Sequence, residues 1–327
     1  MLPIRAEISR RELDADVERL SARQPLLEAN HYRVYCASSK QIPNVLQELG
    51  RLREVTFRAV GEGTGNACDI DFFDSYYLHL FLWDAKAHAV VGAYRLGLVD
   101  EILARRGKRG LYTHSLFKYS TDMLASLNPA IELGRSFVRP EYQREFAPLM
   151  LLWRGIARLI ERMPQYAVLF GAVSISNSYA PASRQLIVDY LSAHCLETRF
   201  AKQVTPRHPC GESASAKAAS SPRDVDELMQ LIYEIEQGEK GIPVLLRQYL
   251  RLGGRLLGFS YDRKFGNALD GLIMVDLRRM DPVILARYMG KAGMAVFRSY
   301  HGCPVAPHHE VETGARLTEA RVDRPST

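Results

Sequence analysis

The sequence of 327 residues lacks the features that define several protein classes. It has no run of the roughly 18–20 uncharged apolar residues that a membrane-spanning helix needs, so an integral membrane protein is not expected. Its amino-terminal segment carries charges of both signs and no apolar core, unlike a secretory signal. The five cysteines are scattered without a Cys-x2-Cys pair, which predicts reduced thiols in a cytoplasmic protein and no metal site.

The amino-acid composition of the chain is that of a globular protein. Hydrophobic residues make up 47% and charged residues 24% of the chain, and 43 basic against 37 acidic side chains give a net charge of +6. Basic residues are not interleaved with aromatic ones on any single predicted element. We therefore expect no nucleic-acid partner, despite the basic balance.

Apolar segments of strand length and of helix length alternate along most of the chain, which predicts an α/β fold with a mixed sheet covered by helices. We expect an N-terminal helical extension over 1–30 and a core over 31–200. A Ser-, Ala- and Pro-rich segment, 201–222, is predicted to be a flexible insertion. Residues 223–301 would complete the same single domain, and 302–327 would form a disordered tail.

Four polar clusters stand beside predicted core elements. Arg53 and Phe57 lie at positions i and i+4 of a long helix, and Asp71 and Asp74 lie in an acidic loop before the next strand. A charged residue on a helix or in a loop is usually solvated, so each of these clusters taken singly is more often structural than functional.

The other two clusters lie inside predicted strands. Arg95 belongs to the segment YRLG, and Glu132 and Arg135 belong to IELGRSFV. A carboxylate within an apolar strand needs a partner or a raised pKa, so Glu132 is the hardest of these residues to explain as an ordinary surface group.

Taken in order, the motifs R-x3-F, D-x2-D, YRL and E-L-x-R resemble those of the acyl-homoserine-lactone synthases. They are still more similar to the N-acyltransferases that make ornithine lipids and related aminolipids, which are often labelled haemolysin-like. The segments LLWRGI, LFG and IPVLLRQYLRLGGRLLG extend the resemblance over about residues 32–300. It implies the GNAT fold, a mixed, splayed β-sheet flanked by helices.

Two departures narrow the substrates that the resemblance implies. The lactone synthases have a Trp six residues after the Phe of R-x3-F, whereas this chain has Gly63. The loop from Gln143 to Pro148 lacks the glycines with which CoA-dependent GNAT proteins hold a pyrophosphate. A donor acyl group on the phosphopantetheine of an acyl carrier protein is therefore expected. Acyl-CoA is less favoured, and no bound cofactor is predicted.

The implied reaction is transfer of a fatty, 3-hydroxylated acyl group to the α-amino group of ornithine or a similar amino acid, giving a lyso-aminolipid. Glu132 would be the general base, acting directly or through a water molecule. Arg135 points to the opposite face of an ideal strand, so it joins Glu132 only if a β-bulge intervenes. It would otherwise orient the loop or bind the substrate carboxylate.

The remaining cluster residues would bind the acceptor. Asp71 and Asp74 would attract its cationic groups, Arg95 would hold those carboxylates, and Arg53 and Phe57 would wall the site. Backbone N–H groups of the strand carrying Glu132 would stabilise the oxyanion.

Two sets of arginines repeat at i, i+4 and i+8 on segments predicted to be helical. They form either solvated helix faces or docking surfaces for an acidic carrier protein or the anionic inner-membrane leaflet. The two sets are Arg154, Arg158 and Arg162, and Arg247, Arg251 and Arg255.

Three alternatives remain open from the sequence. They are a CoA-dependent GNAT acetyltransferase, an enzyme like the lactone synthases, and a non-enzymatic, peripheral membrane-binding protein of the haemolysin-like type. A separate O-acyltransferase that completes the lipid is a further expected partner.

Overall fold

The computed structural model describes residues 1–21, 24–210 and 222–303, which contain ten strands and ten α-helices. The strands are β1 (Leu27–Ala29), β2 (Tyr32–Ser38), β3 (Leu78–Asp84), β4 (Ala89–Leu98), β5 (Phe117–Tyr119), β6 (Ala130–Val138), β7 (Val168–Ile175), β8 (Val204–Pro206), β9 (Arg255–Asp262) and β10 (Ala268–Asp276). The helices are α1 (Arg10–Ser21), α2 (Pro43–Arg58), α3 (Val99–Arg106), α4 (Thr121–Leu127), α5 (Ala147–Arg162), α6 (Pro181–His194), α7 (Thr198–Ala201), α8 (Val225–Ile235), α9 (Val244–Arg251) and α10 (Pro282–Tyr300).

Eight strands form one sheet in the order β1-β2-β3-β4-β6-β7-β10-β9, and β5 pairs with β8 in a second, two-stranded sheet. Within the large sheet β6 and β7 are parallel and the other neighbours are antiparallel. Strands from both sides of the predicted insertion share this sheet, so the predicted mixed α/β fold in a single domain is confirmed. None of the helices in the described ranges is long and apolar enough to cross a bilayer.

The parallel pair β6–β7 is joined over three residue pairs, the last of which is Glu132 with Phe170. A Cβ atom at Gly171 would lie 2.2 Å from the carbonyl oxygen of Leu133, so only glycine allows the strands to approach this closely. Beyond this point no ladder pair joins the described residues of the two strands, and the sheet opens.

Helix α5 covers the half of the sheet that contains β2 to β4. Its apolar face contributes Leu152 and Ile156 to the same core as Val34 and Leu80. A Cβ atom at Gly155 would lie 2.5 Å from the side chain of Val34, so the helix backbone rests directly on the sheet at that glycine. This packing fixes the start of α5 beside the opening between β6 and β7.

The N-terminal helix is bound to the core through a helix cap. Asp16 is fully buried, and its carboxylate accepts hydrogen bonds from the backbone N–H groups of Asn44 at 2.7 Å and Val45 at 2.9 Å. Residue Ile42, at the N-cap of α2, provides no side-chain bond of its own. An aspartate from α1 therefore satisfies the free N–H groups at the start of α2.

One of the two predicted arginine sets is wrong in its third member. Helix α9 ends at Arg251, and Gly253 adopts a positive φ of 78°, which terminates it. Arg255 begins strand β9, where its guanidinium donates hydrogen bonds to the carbonyl oxygens of His194 at 3.3 Å and Leu196 at 3.0 Å. The apolar residues of RLLG fit a strand as well as a helix, which is why spacing misassigned them.

The predicted flexible insertion is only partly within the described residues. Strand β8 pairs with β5, and the N–H of Tyr261 in β9 donates to the carbonyl of His208, so the chain over 204–208 is held against β9 and the small sheet. This differs from the expectation for 201–210. Residues 211–221, and the predicted tail from 304 onward, lie outside the described ranges.

Candidate active site

A cavity of about 640 Å³ occupies the opening between β6 and β7. Its walls are formed by β6 over 133–138, by β7 over 172–174, by the loop 143–146 that precedes α5, and by the first turns of α9. The volume lies within the range typical of small-molecule sites, and most of the wall is apolar.

The mouth of this cavity is marked by exposed side chains. Phe146 is 77% exposed and Val244 is 58% exposed, although both line the cavity. Arg144 and Arg251 are also exposed there, and Arg247 is half-buried beside them. The mouth therefore combines apolar side chains with three cations and one anion, Glu145.

The inner end of the cavity is polar and is formed by Tyr112, Arg135 and Asp270. A β-bulge directs Arg135 here. Arg95 of β4 pairs with Gly134 whereas Ala93 pairs with Phe137, so β6 has one extra residue, and Arg135 has a positive φ of 48°. A β-bulge, the condition set out in the sequence analysis, is therefore present in β6.

Arg135 is held on three sides. Its Nε atom lies 2.9 Å from a carboxylate oxygen of Asp69, and its Nη1 donates a hydrogen bond of 2.9 Å to the hydroxyl of Tyr112. The guanidinium also lies over the rings of Tyr112 and Phe265, at 4.7 and 4.9 Å from their centres. These contacts fix both the position and the charge of Arg135.

A buried ion-pair network lies behind this wall. Arg53 contacts Asp74 at 2.8 Å, and Arg95 contacts Asp71 at 2.7 Å and Asp74 at 3.3 Å. Burial alone would raise the pKa of the Asp74 carboxyl, but the two guanidinium groups outweigh it and hold that pKa well below its usual range. Together with Arg135 and Asp69, the network contains three cations and three anions.

Glu132 belongs to the same interior layer and does not line the cavity. Its carboxylate accepts hydrogen bonds from the hydroxyl of Tyr77 and from the backbone N–H groups of Tyr112 at 3.1 Å and Thr113 at 2.7 Å. Burial raises the pKa of Glu132 although these donors oppose the rise. Tyr112 hydrogen-bonds to this carboxylate through its backbone N–H and to Arg135 through its hydroxyl. The two residues predicted to be catalytic are therefore linked through Tyr112.

The structure brings the predicted catalytic and acceptor-binding residues into one region, where some line the cavity and the others lie in the buried layer behind its wall. Phe57 and Arg135 line the cavity. The other five form the layer behind it: Arg53, Asp71, Asp74, Arg95 and Glu132.

Sequence reasoning missed the carboxylates on the opposite wall. Asp270 on β10 is 2% exposed and lines the cavity, and burial raises its pKa to about 8. Burial likewise raises the pKa of Glu62, in the loop after α2, to about 7. Asp270 could have been found by the reasoning applied to Glu132, because it too is a carboxylate beside an apolar run, in the strand ALDGLIMVD. Tyr112 and Glu62 lie in loops, where no pattern marks them.

The two predicted arginine sets have different surroundings. Arg247 and Arg251 line the mouth of the cavity. Arg154, Arg158 and Arg162 lie on α5 and are not among its lining residues, and Arg158 pairs with Glu161 at 2.5 Å.

The loop before α5 could hold an anionic part of a donor. The α5 helix begins at Ala147 without a side-chain cap, and Gln143 and Arg144 precede it on the cavity wall. In the described part of the chain no group of three or more His, Cys, Asp or Glu side chains is arranged to hold a metal ion.

Comparison with known proteins identifies the chain's relatives. Residues 52–154 match the family model described as an acetyltransferase (GNAT) domain. A glycine N(alpha)-acyltransferase of Phocaeicola vulgatus is 32% identical over 290 residues, which cover 84% of this chain and 87% of that protein. The chain belongs to this family of GNAT N-acyltransferases. An L-ornithine N(alpha)-acyltransferase of Rhodobacter capsulatus is 28% identical over 242 residues, covering 70% of this chain and 85% of the relative.

Among solved structures, a CoA-dependent acyl-homoserine lactone synthase is similar with a TM-score of 0.37 and 13% identity, over 84% of this chain and 91% of that one. The predicted enzyme class and GNAT fold of this N-acyltransferase are confirmed by the family match and by the relatives. The choice of donor and acceptor is a separate question.

Proposed function

We propose that this N-acyltransferase moves a fatty acyl group from the thioester of an acyl carrier protein to the α-amino group of ornithine or a similar amino acid. The observation that carries the proposal is the cavity between β6 and β7, which has apolar walls, a basic mouth and a polar inner end. A thioester bound in it has its chain against apolar side chains and its carbonyl beside β6.

The opening of the sheet supports stabilisation of the reacting carbonyl. Beyond Glu132, β6 has no ladder pairs with β7, so its peptide groups on that side are available to a ligand. Preorganised N–H donors of this kind stabilise the oxyanion of an acyl-transfer intermediate. No covalent enzyme intermediate is required.

The buried ion pairs behind the cavity act as a structural frame that holds the wall of the site in place. Arg53 and Arg95 hold Asp71 and Asp74, which agrees with the role expected for Arg95. Asp74 is 1% exposed and fully paired, so we assign it to the frame and not to direct binding of the acceptor. Glu132 is assigned a positioning role through Tyr112.

Charge at the inner end supports a basic acceptor. Arg135 would pair with the α-carboxylate, and Asp270 with the α-ammonium group. Glu62 and Asp262 are additional carboxylates close enough to influence the pKa of Asp270, and a second ammonium group such as that of ornithine would neutralise them. Glycine is the second candidate, because the two relatives with 32% and 30% identity are glycine N(alpha)-acyltransferases.

The mouth supports a carrier-bound donor. Arg144, Arg247 and Arg251 would meet the phosphopantetheine phosphate and an acidic carrier surface. Among the cavity residues Gln248 donates a hydrogen bond to the hydroxyl of Tyr288 at 2.7 Å, and this polar pair could hold a 3-hydroxyl group on the acyl chain.

Exposed Phe146 and Val244 beside these arginines also support contact of the mouth with an anionic inner-membrane surface, into which an acylated product would pass. A separate O-acyltransferase would then add the second acyl chain. In this view the enzyme is cytoplasmic and peripheral to the membrane.

The test is a matrix of donors and acceptors with the purified protein, with products identified by mass spectrometry. We expect N-acyl-ornithine from acyl carrier protein thioesters, with lower kcat/KM for glycine and for acyl-CoA. Turnover of glycine but not ornithine would select the second acceptor. Turnover of acetyl-CoA without carrier protein would instead support an acetyltransferase.

The docking part of the proposal has a matched control. Reversing the charge at the mouth with Arg247→Glu and Arg251→Glu is expected to raise KM for the acyl carrier donor at least tenfold at low salt. Arg105→Glu reverses an exposed charge on α3, where Arg105 lies 3.7 Å from Glu101, and should leave KM unchanged. Equal effects of both changes would contradict docking at the mouth.

A further inference from the structure

Asp270 is a buried carboxylate that the family motifs do not include. It lies near the start of β10, opposite Ser174 of β7 and Ser260 of β9. Only 2% of its surface is exposed, yet it lines the cavity, and its Oδ1 atom has no hydrogen-bond partner among the described residues. A buried carboxylate oxygen without a partner is costly unless the group is protonated or a ligand completes its interactions.

The groups that influence Asp270 come from several elements. The side chain of Ser174 in β7 and the guanidinium of Arg135 in β6 favour its ionisation, whereas Asp262 of β9 and Glu62 in the loop after α2 oppose it. The charge of Asp270 in turn influences Tyr112. Burial is the largest influence and raises the pKa of Asp270 to about 8, in the range where a group can both accept and release protons.

We infer that Asp270 is the catalytic base that accepts the proton of the acceptor's α-ammonium group. This inference rests on the proposed function, because it needs an amine acceptor in the cavity. A cationic acceptor supplies the missing partner of Oδ1, and its positive charge favours the ionised form of Asp270 as the complex forms.

The proton balance follows from the reaction. The ammonium group gives one proton to Asp270, and the freed lone pair forms the new C–N bond to the thioester carbonyl. When the tetrahedral intermediate collapses, the C–S bond breaks and the nitrogen loses its second proton. One of the two protons ends on the departing thiol, and the other leaves Asp270 for solvent.

Glu132 is less suited to this step. Its two oxygens already accept three hydrogen bonds, and it does not line the cavity. The structure thus separates two buried carboxylates with raised pKa values: one is saturated with internal donors, and the other lies on the cavity wall with a free oxygen.

The experiment compares Asp270→Asn with Asp276→Asn at the other end of the same strand. Asp276 accepts bonds from Arg278 and is not among the cavity residues, so its variant is the matched control. We expect Asp270→Asn to lower kcat by about 10²-fold or more with little change in KM for the donor. In the wild type, kcat/KM for the acceptor should rise with pH through about 8, as the free carboxyl of Asp270 ionises. Asp270→Asn should lose this component and keep only the rise that ionisation of the acceptor's own α-ammonium group produces.

A folding defect is separable from loss of the base. If Asp270→Asn has a lowered melting temperature and an altered donor KM, carbon NMR of the aspartate carboxyls in the wild type provides the second measurement. One carboxyl must titrate near 8 and shift to lower pH when ornithine or glycine binds.

The two proposals fail in different ways. A wild-type protein that acylates no amine overturns the proposed function. An active wild type whose Asp270→Asn variant keeps both kcat and the pH dependence overturns the assignment of Asp270 alone.

Discussion

The hydroxyl of Tyr112 accepts a hydrogen bond of 2.9 Å from Arg135, the guanidinium at the inner end of the cavity. The backbone N–H of Tyr112 donates to Glu132 at 3.1 Å, and its hydroxyl donates to Asp262 at 3.1 Å. A residue outside every family motif therefore joins the buried frame to the cavity wall at Arg135 and to strand β9 at Asp262.

We predict that Tyr112→Phe lowers kcat about tenfold, because Arg135 loses its hydroxyl partner while the backbone bond to Glu132 remains. Unfolding free energy should fall by about 2–3 kcal/mol, because the hydroxyl makes two hydrogen bonds, one with Arg135 and one with Asp262. Steady-state kinetics and chemical denaturation test this. Tyr76→Phe removes a hydroxyl that donates to the carbonyl of Gly110 and is the control. Equal losses of kcat in both variants would contradict the role of Tyr112.

Glu132→Gln should mainly destabilise the protein. A glutamine amide keeps one acceptor oxygen but turns an NH2 group toward the N–H donors of Tyr112 and Thr113, at a cost of about 2 kcal/mol. We expect reduced kcat at every pH with the dependence on pH retained. A variant with unchanged stability that loses the rise of kcat/KM with pH would instead restore Glu132 as the base.

Sequence patterns predicted the sheet well because burial leaves a clear periodicity. The apolar run that became β7 and the helix beginning near Pro148 both follow from it. Arg95 was conspicuous as a charge inside a predicted strand, whereas Arg53 and Asp74 were found only through the ordered set of family motifs. Sequence patterns could not show that these charges neutralise one another, because pairing depends on contacts between residues far apart in sequence.

The same limit explains what was missed at the cavity. Its inner end combines Tyr112 from a loop, Arg135 from a bulge and Asp270 from the C-terminal part of the chain. Only the sheet order, in which β10 follows β7, brings these residues together. Most of the family motifs lie in the N-terminal half of the chain, and none of them includes β10.

The Arg53–Asp74 ion pair should be strongly coupled. Arg53→Met leaves a buried carboxylate without its 2.8 Å partner and is expected to lower the unfolding free energy by about 3–5 kcal/mol. Combining it with Asp74→Asn should recover part of that loss. Denaturant titrations of both single variants and the double variant measure the coupling. Additive losses would show that the two side chains act independently.

Asp270 should make stability depend on pH in the opposite direction from a paired aspartate. Its pKa of about 8 in the folded state exceeds the ordinary value of 3.8, so the native state binds this proton more tightly than the unfolded state. The stabilisation of the folded state by this proton is complete when the pH is below 3.8, and it is lost as the pH rises toward 8. Asp270→Asn should therefore melt at a higher temperature than the wild type at pH 8.5, and the difference should narrow by pH 5. Thermal melts across this range test it, and a constant difference would contradict the raised pKa.

Gly171 controls where the sheet opens, because it lies immediately after the last β6–β7 pair. An added Cβ would lie 2.2 Å from the carbonyl oxygen of Leu133, so Gly171→Ala must push β6 and β7 apart. We expect a loss of about 1–3 kcal/mol in unfolding free energy and a larger proportional loss of kcat, since the peptide groups of β6 move relative to the thioester. Gly134→Ala is the matched control on the facing strand, where an added Cβ meets nothing within 4 Å. That variant should fold as well as the wild type and change only the fit of the acyl chain, seen as altered KM for donors of different length. If the two alanine variants behaved alike, close approach at Gly171 would not be what positions the reacting carbonyl.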